Sequence, residues 1–178
     1  MSEYYRDKTG KLDEVMEEVK ENYFPELEIA KFLYTFRTKI KHDDEGYVVA
    51  GEARKLSVRE RDLYNYDFEI CIYHPTWSKY TKKQRKRLCW HELYHCRVRF
   101  ELDDMGDETN EPIKDKENRI SIRLQKHDIV LKTFFDELVE FGPTKDEVAT
   151  IFKIYKYALR SDKLLRSHGK RVIKRRKK

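Results

Sequence analysis

The sequence predicts an α+β fold, one domain with a C-terminal extension. Three observations carry that expectation. Segments with helical spacing of apolar residues are interspersed with segments of period two. A capped helix directly follows the clearest period-two segment, Tyr66–His74. And 178 residues, 39% of them apolar, can enclose one core without disulfide staples. The expected arrangement is N-terminal helices, a small twisted sheet, a central helix packed on it, and C-terminal helices.

The elements follow in order. "KLDEVMEEVKE" (11–21) is weakly amphipathic, and "YFPEL" interrupts it, with Pro25 suited to the first turn of a new helix. From Glu26 to Ile40, the spacing of Ile29, Leu33 (or Phe32), Phe36 and Ile40 predicts that helix. "KHDDEGY" reads as a turn, Tyr47–Ser57 as a strand, and "VRERDLYNY" as a short helix or irregular turn. In Tyr66–His74, Phe68, Ile70 and Ile72 alternate with Glu69, Cys71 and Tyr73, the period of a half-buried strand that Pro75 ends. Thr81 with Gln84 has capping-box spacing and predicts a helix from Lys82 to Arg97. "DDMGDETNEPIKDKEN" has loop composition. Arg119–Leu124 is a short strand that could pair with Val98–Leu102. A further helix starts near His127 and stops at Gly142-Pro143, and Thr144 with Glu147 opens another. The predicted domains are residues 1–143, a helical extension over 144–166, and a basic, disordered tail over 167–178.

Composition narrows the classes of function. Charged residues make up 40%, and no run approaches the ~20 apolar residues of a membrane span. The start, "MSEYYRDKTGKLDEV", has no secretory hydrophobic stretch. Three cysteines without a C-x-x-C predict no disulfide framework and a cytoplasmic protein. Seven basic residues crowd the last nine: Lys170, Arg171, Lys174, Arg175, Arg176, Lys177 and Lys178. They exceed the net charge of +6, so the rest of the chain is nearly neutral. That tail is a candidate for non-specific nucleic-acid contact.

The chemistry concentrates in "LCWHELYHC" (88–96), which contains His91-Glu92-x-x-His95. Histidines four apart on a helix stand about 5–6 Å apart at Cβ, which suits chelation of zinc. The glutamate beside the first is placed to take a proton from a metal-bound water. On a helical wheel, Cys89, Leu93 and Cys96 form a core stripe, and His91 and His95 lie together away from it. A third ligand is required. His42 and His168 read as solvated and His74 as a strand-end surface residue. His127 stands at a helix start, where the dipole favours neutral imidazole. Asp128 and the acids of Asp103–Glu108 are alternatives, although that loop lacks EF-hand spacing. Tyr64, Tyr73 and Tyr94 are the candidate oxyanion donors.

The order "ELEIAKFLYTFRT", "GEARKLS", "YDFEICIYHPTW", "LCWHELYHC", "ISIRLQKHDIV" resembles the phage metallopeptidase family, over roughly residues 24–142. It is more distantly similar to SprT-like zinc proteases. The resemblance implies a zincin-like fold, zinc (Zn2+) on His91 and His95 with His127 as third ligand, and Glu92 as general base. It also implies a peptide or protein substrate and, for a phage product, the cytoplasm of a bacterial host. The rival readings are a nucleic-acid-associated factor, using the tail and "KKQRKR" (Lys82–Arg87), and a host-protein-binding factor. In either, the zinc site would be structural or vestigial.

Overall fold

A computed structural model describes residues 3–126, 135–145 and 147–149 of the chain. The chain divides into two compact units, Met1–His127 and Asp128–Lys178. Both helices and strands build the first, so the fold is mixed α+β. Among the described residues no helix is long and apolar enough to cross a membrane.

The first unit opens with a short strand, β1 (Tyr4–Tyr5), and a helix, α1 (Lys11–Tyr23). Leu12, Met16 and Val19 of α1 recur at helical spacing, and all three are buried. Pro25 then starts only a 3-10 turn, Pro25–Leu27, and the chain becomes extended as β2 (Phe32–Arg37). The helix expected over Glu26–Ile40 is therefore not formed. The same apolar residues fit two periods, and the tertiary context decides. Phe32, Tyr34 and Phe36 face the core at period two, whereas Ile29 and Ile40, the ends of the supposed helical stripe, are 47% and 48% exposed. Aromatic and β-branched residues also favour a pleated surface.

Next come β3 (Gly51–Lys55), α2 (Val58–Tyr64), β4 (Phe68–Tyr73) and α3 (His74–Lys79). The sequence reading ended β4 at Pro75 without assigning α3; Pro75 sits in the first turn of that helix, where its missing N–H has no helical partner to lose. The main sheet has the order β1-β2-β4-β3. β4 pairs parallel to β2 and antiparallel to β3, with Phe32 opposite Phe68, Phe36 opposite Ile72, and Gly51 opposite Ile72 from the other side. Phe68, Ile70 and Ile72 are fully buried on the face that carries Gly51 and Ala53. β4 is thus an interior strand, and β1 and β3 are the edges of the sheet.

Helix α4 (Lys82–Tyr94) carries the capping box read from the sequence: Thr81 Oγ1 accepts from Gln84 N, and Gln84 Oε1 accepts from Thr81 N at 2.9 Å. It packs against α1 and β3. It ends three residues before the expected Arg97, because Cys96–Val98 turns extended as β5 and pairs with β8 (Ile122–Leu124). Arg119–Leu124 does pair across a long loop, but of the expected partner Val98–Leu102 only Val98 takes part, opposite Ile122. Between β5 and β8, the strand β6 (Phe100–Leu102) forms a hairpin with β7 (Glu108–Pro112), which lies within the segment read as loop. Its acidic turn hides the pairing: the Asp103 carboxylate accepts from Met105 N and Asp107 N and closes the turn.

In the second unit, α5 (Phe135–Phe141) ends at Gly142, whose φ of 76° only glycine adopts readily. Thr144 and Glu147 then exchange capping bonds, Thr144 N to the Glu147 carboxylate at 2.5 Å and Glu147 N to Thr144 Oγ1 at 3.3 Å. The helix start expected near His127 and the basic tail lie outside the described residues.

Candidate functional site

The site begins with the way α4 is wedged into the first unit. Cys89, Leu93 and Cys96 are fully buried, as their spacing predicts. On another side, Trp90 stacks on Tyr94 with ring centroids 4.7 Å apart and meets Phe24 at 5.4 Å. Lys86 ion-pairs with Glu18 of α1, and Arg85 lies over the Trp77 ring and donates to Trp77 O. Two cations of the run Lys82–Arg87 are therefore bound into the fold. With the helix fixed on these sides, the side chains of His91, Glu92 and His95 have little freedom in where they point.

The two histidine rings stand 5.1 Å apart, nearly perpendicular at 78°. His95 Nδ1 lies 2.7 Å from the backbone oxygen of Gln125. A carbonyl only accepts, so Nδ1 carries the proton, and in the neutral ring Nε2 is the nitrogen with the lone pair. Gln125 N in turn donates to His95 O at 2.7 Å, and Gln125 Oε1 accepts from Arg97 Nε at 2.8 Å. The chain leaving β8 is thereby tied to the end of α4 by two bonds and to Arg97 of β5 by a third. A neutral imidazole whose second nitrogen is held by a backbone carbonyl is how metal-binding histidines are commonly oriented. The donor set fits a zinc ion on this count: two imidazoles on one helix face, one with its tautomer set.

Glu92 is enclosed, only 4% exposed. Its side chain reaches β3. A Cβ at Gly51 would overlap Glu92 Oε1 and stand 2.7 Å from Cδ and 2.9 Å from Cγ. Cys89 of α4 and Cys96 of β5 flank Glu92 in the chain. Burial, and then the charge of Glu92, push both thiols far above their ordinary range. They remain neutral thiols, and Cys96 Sγ donates to Glu92 O.

The other candidates lie elsewhere. His42 is exposed in a two-residue bridge with Val48. His74 packs edge-on against Phe36 at 4.9 Å and sits 3.3 Å from Ser78 Oγ. The Tyr94 ring lies between Trp90 and the Arg97 guanidinium, 4.3 Å from its centroid. Tyr73 lies under Arg37 on the sheet face opposite Gly51, and Tyr64 is exposed on α2. Asp103 serves the hairpin turn. Among the described residues no group of three or more His, Cys, Asp or Glu is placed to hold a metal. His127, Asp128 and His168 lie outside them, as do Lys170–Lys178. Sequence reading missed two residues. Gln125 acts through its backbone and leaves no signal in its side-chain type. Gly51 left one: a glycine inside a strand pattern marks a close approach.

A family model described as "Putative phage metallopeptidase" matches residues 2–156. The match extends beyond the stretch 24–142 at both ends and adds β1 and α1. No curated protein and no solved structure matches the chain.

Proposed function

We propose, for a chain that belongs to the phage metallopeptidase family, zinc-dependent hydrolysis of peptide bonds at the His91–Glu92–His95 face of α4 in a zincin-like domain. The observation that carries this reading is the bond from His95 Nδ1 to Gln125 O, 2.7 Å, beside a second imidazole 5.1 Å away. His91 and His95 would hold the metal through lone pairs, with His127 as the third ligand. Gln125, bonded to His95, precedes His127 by two residues, and two residues span at most about 7 Å of chain. Zinc, when bound, polarises the scissile carbonyl and lowers the pKa of water.

The chain's own residues do the rest. Glu92 accepts a proton from the attacking water and returns it to the departing amine nitrogen as the C–N bond breaks. Its enclosure against β3 excludes bulk water from the carboxylate, which strengthens its interactions there. The substrate would be an extended polypeptide at the edge strand β3. Tyr73 N donates to Ala50 O and Leu56 N to Asp67 O, so Gly51, Ala53 and Lys55 turn their N–H and C=O groups away from β4. The Gly51 end of that edge adjoins Glu92, and backbone pairing there would present a peptide bond to the site.

The test uses full-length protein loaded with zinc and a mixture of random octapeptides, read by mass spectrometry. Cleavage by the wild type, with Glu92→Gln keeping its zinc and losing cleavage, is the expected result. Cleavage retained by Glu92→Gln would sink the mechanism.

A further inference from the structure

We infer that Gly51 sets the position of the Glu92 carboxylate, as a positioning residue for the chemistry proposed above; its catalytic meaning rests on that reading. Glycine weakens a strand interior, since it packs no side chain and gains freedom when unfolded. Its usual justification, a left-handed backbone, does not apply: among the described residues the glycines with positive φ are Gly10, Gly46, Gly106 and Gly142. An alanine would fit the backbone of residue 51. What it would not fit is Glu92. The three atoms nearest to the missing Cβ are Oε1, Cδ and Cγ of that one side chain.

Glu92 has little room to retreat. It is 4% exposed, and Cys89 of α4 and Cys96 at the start of β5 are fully buried. Ordinary contact begins about 3.5 Å out, so a Cβ at residue 51 would drive the carboxylate some ~1 Å from its place. A shift of that size at a reacting group can lower turnover on the order of 100-fold. The bare backbone of β3 thus works as a stop against which the carboxylate is seated.

Thermal unfolding of four full-length proteins tests this without a substrate: wild type, Gly51→Ala, Glu92→Ala and the double variant. Gly51→Ala should lower Tm by about 3–8 °C when Glu92 is present and have little effect in the Glu92→Ala background. An equal fall in both backgrounds would overturn the inference. If Gly51→Ala alone does not fold, recovery of folded protein from the double variant supports it and continued failure overturns it. With the best-cleaved octapeptide, Gly51→Ala should keep its zinc and its KM within about twofold while kcat falls about 100-fold. Unchanged kcat would overturn the positioning role. Should zinc-loaded wild type cleave no peptide, the hydrolase reading fails, and the Tm cycle still decides between a seated Glu92 and an indifferent glycine.

Discussion

His95 and Gln125, thirty residues apart, hold each other at two points, imidazole Nδ1 to backbone oxygen and backbone N–H to backbone oxygen, both at 2.7 Å. One residue ends α4 and the other follows β8. The pair therefore fixes both the tautomer of a candidate ligand and the place from which the chain departs toward His127.

Gln125 offers a clean separation of backbone from side chain. Gln125→Ala keeps both links to His95 and removes only the bond to Arg97, so zinc affinity should stay within about threefold. Gln125→Pro deletes the N–H and distorts the carbonyl's setting, and zinc affinity should fall about 10–100-fold. Competition with a chromogenic chelator measures both. Equal affinities for the two variants would show that this pair does not orient the ligand.

The identity of the third ligand is checked by histidine replacement. His91→Ala, His95→Ala and His127→Ala should each reduce bound zinc from about one per chain to well below half. His74→Ala should leave zinc unchanged and instead lower Tm, because its ring packs against Phe36. Atomic absorption on purified protein gives the result. Full zinc occupancy in His127→Ala would move the search to Asp128 or another acid.

Thiol chemistry reports on the enclosure of Glu92. Cys89 and Cys96 are buried and their thiols pushed up, so the nucleophilic thiolate is scarce even in mild alkali. Cys71 is shifted in the same direction by its burial. At pH 8 a disulfide reagent should label none of the three in native protein within minutes, and all three after guanidinium is added. Rapid labelling of the native protein at Cys89 or Cys96 would contradict the packing of α4.

Salt dependence tests the tail. Seven cationic side chains from Lys170 to Lys178, with no acid among them, should bind DNA or RNA weakly and without regard to base sequence. Filter binding should weaken steeply between low and high salt and vanish when the tail is deleted, with zinc content unchanged. Equal binding by intact and truncated chains would leave the tail without that role.

Much of the site was legible because it is local. The Thr81–Gln84 cap, the buried stripe of Cys89, Leu93 and Cys96, and the placement of two histidines on one helix depend on neighbours a few residues away. β2 was misread because Leu33 and Phe36 satisfy a helical period as well as Phe32, Tyr34 and Phe36 satisfy a strand; only pairing with β4 settles it. The β6–β7 hairpin was hidden by acids whose side chains serve its turn. Gly51 against Glu92, and Gln125 against His95, join residues far apart in the chain, and no periodicity encodes such pairings.

The central place of β4 bears on how the protein is made. On the ribosome, β2 emerges with only the two residues of β1 to pair with, and β3 emerges with no partner at all. Both wait for Phe68–Tyr73, and the face carrying Phe32, Tyr34 and Phe36 waits with them. Synthesis at about 5–20 residues per second leaves that aromatic strand uncovered for seconds. Nascent chains stalled just before Phe68 should therefore be chaperone clients and prone to aggregate, whereas chains extended past α4 have what they need to close the sheet.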